Sequence, residues 1–350
     1  MNNQSLNRND AEYLYPHSRD VIERETSDNG FSKGWGMHFL PTAEYWFDVH
    51  THVYEKKENI REAIDEHLTR VKDRKVQRLS VIPIASAAKD GKSIDTDMFS
   101  CYMNKKDLSC YLEEILGIKC ASAILYLHYT NPDIELIETA ADMGISGIKL
   151  HNAWMIMDGA DRQIWLSDEW DKAFQLMGRL KLPVLWHVTQ RLTDSPYTEG
   201  GRNSYWKEGW EKGVRYTNED LLQIYLKVVG KYPDVNFISA HQLHIGWERL
   251  TELFDQYPNL YTDTTVGCFV RKDDEMYDID RNYLRDVFIR YSDRILFGTD
   301  TFTKRQNEVK YLEDSYDGHI RFIKQLNLPG EALQKISHEN AERLYPRKGC

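Results

Sequence analysis

The sequence predicts an α/β protein, a (β/α)8 TIM barrel with a short N-terminal extension. Two observations point to it. From Trp46 onward, short runs rich in Val, Ile and Leu alternate with stretches of helical period, eight times over. Most residues able to do chemistry also fall at the ends of those apolar runs, where barrels of this class place their sites. The competing architecture, an open doubly wound sheet, needs a glycine-rich phosphate turn after the first strand, and the residues after His52 are "VYEKKEN".

The elements follow in order. Residues 1–45 carry charges, Asn and Gly without a clear period ("SDNGFSKGWG") and read as an extension that packs outside the domain or stays partly mobile. "FDVHTH" is the first strand, and Ile60, Ala63, Ile64, Leu68 and Val71 form the apolar stripe of the helix after it. "QRLSVIPIAS", "CASAILYLHY", "SGIKLHN" and "LPVLWHVT" are the next four strands. Between them lie the helices "KDLSCYLEEILGI", "PDIELIETAADMG", opened by Pro132 and closed by Gly144, and "SDEWDKAFQLMGRLK", with Ser167 as N-cap. A polar insertion covers residues 190–216. The strands "VNFISAHQ", "LYTDTTVG" and "RILFGTDT" then alternate with helical segments to residue 346, leaving a tail of 347–350.

A chain of 350 residues with net charge -10 and a pI of about 5.7 offers no basic surface for nucleic acid. It has no run of 18 apolar residues, and its start lacks the basic-then-apolar plan of a signal peptide. Cysteines 101, 110, 120, 268 and 350 are odd in number and form no C-x-x-C pair, so they read as reduced thiols in a cytoplasmic protein. The expected partner is a small molecule, not a membrane.

The predicted strand ends carry a succession of ionisable side chains. Strand one ends in His50 and His52, with Asp48 on the same face of a regular strand. Strand three ends in His128, strand four in Lys149 and His151, strand five in His187, strand six in His241 and strand eight in Asp300. Drawn together, His50, His52, His187 and Asp300 are an N/O set that suits Zn²⁺, with Mn²⁺ and Fe²⁺ as alternatives. An open position would hold a water whose pKa the metal lowers toward neutrality. Gly298, two residues before Asp300, leaves space below that point.

These motifs resemble the metal-dependent amidohydrolase superfamily: D-x-H-x-H on the first strand, histidines on the fifth and sixth, and "ILFGTDT" on the eighth. "MGISGIKLH", "LPVLWH", "LYTDTT" and "HENAERLY" are similar to the branch containing aminocarboxymuconate semialdehyde decarboxylase, over residues 46–346. The resemblance implies His50, His52 and His187 as ligands and Asp300 as a ligand and proton shuttle. It implies His241 as the group that deprotonates the water or polarises the substrate, and association into homodimers.

The sequence departs from the family after strand six, where "HQLHIGW" replaces small residues and Gly and makes His244 a substitute for His241 and a candidate for substrate contact. Lys149 reads as a barrel-interior cation or a hook for a substrate carboxylate or, in the two-metal pattern, a carboxylated bridge. His128 and His151 are rim packing or substrate contacts, and Asp300 has a competing reading as a helix N-cap. Cys268 reads as a core filler more readily than as a nucleophile. Arg191, Arg202, Tyr205 and Trp206 in the insertion belong to a surface loop or to a lid over an anionic or aromatic substrate. Asp48 is expected to back a ligand imidazole. The leading expectation is hydrolysis of an amide, lactam or lactone in a small acidic substrate. Decarboxylation of a carboxylated ring or muconate-type compound is the alternative, and an inactive binding protein on the same barrel is the third reading.

Overall fold

The structure, a computed structural model, describes residues 41–53, 59–83, 85–87, 94–96, 100–103, 105–130, 132–189, 204–265, 278–303 and 309–346. Its strands are β1 (Trp46–Val53), β2 (Val76–Pro83), the short β3 (Ala85–Ala87), β4 (Ile94–Thr96) and β5 (Ser100–Met103), then β6 (Ala121–Tyr126), β7 (Gly147–His151), β8 (Val184–His187), β9 (Phe237–Ser239), β10 (Leu260–Asp263), β11 (Ile295–Leu296) and β12 (Thr301–Phe302). Nine of them form one parallel sheet in the order β11-β10-β9-β8-β7-β6-β2-β1-β12. Its two outermost strands, β11 and β12, are pieces of a single eighth strand broken at residues 297–300. One piece pairs with β10 and the other with β1, so the sheet curls shut as a barrel.

Side-chain alternation along the strands separates two cores. In β8, Val184 and Trp186 face the helices while Leu185 faces the barrel axis, and Phe237 and Ile238 in β9 divide the same way. The axial core joins Phe47, Val49, Ile82, Ile124, Leu185, Ile238 and Leu296, and Leu344 and Tyr345 pack against it. The helices that cover the outside are α1 (Ile60–Val71), α2 (Lys105–Leu116), α3 (Ile134–Met143), α4 (Ala153–Met157), α5 (Asp168–Leu180), α6 (Ser204–Glu211), α7 (Asn218–Lys231), α8 (Trp247–Gln256), α9 (Asp278–Arg290), α10 (Val309–Gln325), α11 (Gly330–Gln334) and α12 (Asn340–Leu344). Ser167 caps α5 as expected, accepting from the Trp170 amide at 3.4 Å. In α3 the cap is Asp133 and not Pro132, accepting from the Leu136 amide at 3.0 Å, and Gly144 closes the helix at φ 104°.

Two segments differ from the sequence reading. The stretch between "QRLSVIP" and α2 carries a three-stranded sheet, β3-β5-β4. Strands of three or four residues are too short to show alternation, so no period announced it. The polar insertion ends in α6, whose Trp206 is 1% exposed and packs edge-on to Tyr216 in the outer core. Trp206 therefore belongs to the packing of the barrel and not to a lid.

Candidate metal centre

At the carboxyl ends of β1 and the eighth strand, three side chains converge. His50 Nε2 lies 3.2 Å from His52 Nε2, and Asp300 Oδ1 lies 3.3 Å from the first and 3.1 Å from the second. His50 Nδ1 donates to Asp263 Oδ2 at 2.8 Å, which assigns the ring's proton to Nδ1 and leaves the Nε2 lone pair aimed at the centre. Gly298 relieves crowding here. A Cβ on it would meet Asp263 Cβ at 3.1 Å, Thr265 Cγ2 at 3.2 Å and His50 Cβ at 3.3 Å. Asp300 itself sits at φ 56°, a left-handed conformation that Asp tolerates better than most residues and that turns its carboxylate back over the two imidazoles.

The fourth expected ligand stands apart. His187 lies outside the group of ligand atoms within 4.8 Å of one another, which is His50, His52 and Asp300. Its ring is 4.6 Å from that of His241, and its buried Nε2 has no hydrogen-bond partner among the described residues. Two converging imidazole nitrogens, an ionised carboxylate oxygen and a buried imidazole nitrogen awaiting a partner fit a divalent cation of the N/O-binding kind.

His241 is presented by an unusual piece of backbone. His241, Gln242, Leu243 and His244 have φ of 57°, 52°, 57° and 53°, a full left-handed turn without glycine. Such a turn costs about 1–2 kcal/mol per L-residue and persists only where its surroundings hold it. Here the His241 amide donates to Asp263 Oδ1 and Thr265 Oγ1, both at 3.0 Å. The Gln242 amide group donates to the backbone oxygens of Asp263 at 2.6 Å and Thr265 at 3.2 Å. Thr189 Oγ1 donates to Leu243 O. With about three residues per turn, residues i and i+3 eclipse, and His241 and His244 stack with centroids 5.2 Å apart and planes within 7°. Thr265 Oγ1 donates to Asp263 Oδ1 at 2.6 Å and so accepts from His241 Nδ1 at 3.0 Å. His241 Nε2 is then the unprotonated nitrogen, 3.8 Å from Asp300 Oδ2.

Burial sets the charge states. It pushes His52 and His241 down to about 4, against the opposing pull of Asp300. It also drives His151 and His187 well below the ordinary imidazole range, helped by neighbouring His and Lys149 groups. Burial alone would raise Asp300, but His50, His52 and His241 win and hold its carboxyl well below the usual carboxylate range. Lys149 is brought down to about 8 by burial, with Asp300 and Asp263 pulling the other way, so it stays mostly cationic near neutrality. Its Nζ is 3.0 Å from His50 Nε2.

The other expected residues divide. His151 and His187 are register partners in β7 and β8, with rings 4.1 Å apart, and the Ala153 amide donates to His151 Nδ1. His128 packs against Tyr129 and Trp154 and bonds Thr130 Oγ1. Arg191, Arg202 and Cys268 lie outside the described residues. Asp48 does not back an imidazole. The register of β1 on β2 shifts between Asp48 and Thr51, which breaks the alternation expected of a regular strand. Val49 faces the axis, while the Asp48 carboxylate bonds Tyr316 of the outer core. Sequence reading missed Asp263, Thr265 and Gln242. Asp263 was within reach: it ends the seventh strand at the rim where the other ionisable groups were found.

The amidohydrolase family model matches residues 47–347. No curated protein matches the sequence. The chain is similar to 5-carboxyvanillate decarboxylase from Sphingomonas paucimobilis at a TM-score of 0.54 and 9% identity, over 87% of this chain and 100% of that one. An amidohydrolase from Burkholderia multivorans with bound zinc gives a TM-score of 0.54 at 10% identity, over 87% and 99%. Dihydroxybenzoic acid decarboxylase from Polaromonas sp. JS666, with bound manganese and 2-nitroresorcinol, gives 0.52 at 13%, over 86% and 96%. Barrel, a cluster of side chains able to hold a metal ion and a family match over most of the chain agree: the protein is an enzyme of the amidohydrolase family.

Proposed function

We propose that the chain is a metal-dependent hydrolase that cleaves a C–N or C–O bond, in an amide, lactam or lactone, of a small acidic substrate. One observation carries the reading: Asp300 turns Oδ1 to both imidazoles of β1 and Oδ2 toward the unprotonated Nε2 of His241. A carboxylate placed in this way can hold an ion on one side and pass a proton on the other. His50, His52 and Asp300 would hold a divalent ion, zinc by preference for this donor set, with His187 completing it. When bound, the ion supplies Lewis acidity that polarises an acyl oxygen and acidifies water. Asp300 accepts the proton shed by the attacking water, and His241 carries it to the leaving group. Lys149 supplies a buried positive charge for a substrate carboxylate. Zinc in the Burkholderia protein and manganese in the Polaromonas one support a divalent ion without choosing between them.

Decarboxylation is the second reading, favoured by the decarboxylases among the similar structures. In it, the same Asp300 and His241 manage the proton that replaces the carboxyl group. Metal-replete protein incubated with a panel of lactones, amides and carboxylated aromatics separates the two: water added to the substrate supports hydrolysis, and released carbon dioxide supports the lyase. Turnover that survives complete removal of the ion by a chelator sinks both.

A further inference from the structure

We propose that Asp48 is a positioning residue that sets the separation of His50 and Asp300 from outside the barrel wall. The proposal rests on the reading of these two as metal ligands. Both stand where the regular ladder fails. The eighth strand is interrupted at residues 297–300, and its ladder with β1 joins only Thr51 to Thr301 and His52 to Phe302. On β1 the register shifts between Asp48 and Thr51. One carboxylate bridges the gap. Asp48 Oδ1 accepts from the His50 amide at 2.9 Å and from the Thr299 amide at 3.1 Å. Thr299 immediately precedes Asp300, so a single oxygen ties the backbone of one ligand to the residue beside another.

The other oxygen anchors the clamp. Asp48 Oδ2 accepts from the Thr299 hydroxyl and from Tyr316 Oη at 2.6 Å. Thr299 Oγ1 also meets Thr301 Oγ1 at 2.8 Å, so bonded hydroxyls flank Asp300 on both sides. Tyr316 belongs to α10, and its hydroxyl lies 2.9 Å from Nε2 of His67 in α1. Asp48 is fully buried, and a buried carboxylate is retained only where its acceptor sites are filled. All four of its contacts go to the seam that carries the ligands or to the helix behind it. Asp300, held at φ 56°, needs such a restraint, because no ladder hydrogen bond fixes residues 297–300 against β1 except the Val49 amide to Phe297 O at 3.0 Å.

The test is Zn²⁺ affinity, measured by calorimetry on chelator-stripped protein whose fold is checked by circular dichroism; no substrate is needed. Asp48→Ala is expected to weaken Zn²⁺ binding about 10–100-fold, the range for partners that orient metal ligands. Asp48→Asn keeps an oxygen for both amides, and the two hydroxyls can turn to meet its NH₂, so it is expected to restore most of the loss. Wild-type affinity in folded Asp48→Ala overturns the proposal, as does an Asp48→Asn variant as weak as Asp48→Ala, since charge and not spacing would then be at work. Should Asp48→Ala not fold, Asp48→Glu decides: it keeps the charge but is one methylene longer, and unchanged affinity there overturns the clamp. Wild-type protein that takes up no ion at all would instead sink the metal reading itself.

Discussion

The wall formed by β1 and the eighth strand and the wall formed by β7, β8 and the turn after β9 bring imidazoles to the same rim, with His50 and His241 5.6 Å apart ring to ring, yet they hold them differently. On the first wall, His50 has Asp263 behind it, and His50 and His52 share Asp300 in front. On the second, His151 lies against His187, His187 against His241 and His241 against His244, ring to ring. Carboxylates on the first wall would neutralise a cation and orient lone pairs toward it. The second wall is a bank of buried rings, of which His151, His187 and His241 are held neutral by burial, and it suits a flat or polar substrate. The contrast shows that an imidazole's role is set by what stands behind it.

The largest expected effect is on the first wall. Asp300→Ala removes both the oxygen donor and the proton acceptor, so metal content should fall to background and turnover by about 10³-fold or more; elemental analysis and an assay on the same preparation check this. Full metal occupancy would dissolve the distinction between the walls. On the second wall, His241→Asn keeps a residue tolerant of positive φ and should retain the ion while losing about 10²–10⁴-fold in turnover. Equal loss of metal and activity would move His241 to the first wall. A smaller effect is expected behind the turn. Gln242→Leu strands two backbone oxygens and should lower stability by about 1–3 kcal/mol in denaturant melts, with KM rising through the displaced His244. An unchanged melt would mean that the left-handed turn is held without that amide.

The least effect tests buried histidines outside both walls. Burial pushes His67 and His128 down to about 3. Their folded-state pKa values lie below the unfolded value, about 6.5, so in acid the unfolded chain takes up protons first. Stability is therefore complete above pH 6.5 and drains away as pH falls toward 3. Thermal melts of the metal-free protein from pH 7 to pH 4 should decline; a flat profile would remove burial as the cause.

Most of the barrel could be read from the chain because its signals are local. The apolar runs, the helical stripe from Ile60 to Val71 and the Ser167 cap each lie within a dozen residues. His50, His52 and Asp300 were legible for the same reason: a strand end is a position in sequence as well as in space. Asp48 was misplaced because period-two reasoning assumes an unbroken strand, and nothing in "FDVHTH" announces the register shift. Gln242 escaped notice because four consecutive left-handed residues contradict their own intrinsic preferences. Contacts from Thr189 after β8 and from Asp263 and Thr265 at the end of the seventh strand hold them there.

The amino-acid order alone determined the alternation of strand and helix and the rim at which the chemistry gathers, since both follow from side-chain period and chain direction. Only the folded barrel decided which imidazoles meet a carboxylate and which meet one another. Those pairings join residues as distant as His50 and Asp263, or Asp48 and Tyr316. Closing the sheet brings such groups within 3 Å, and at that range hydrogen bonding and burial, not sequence neighbours, assign charge and proton.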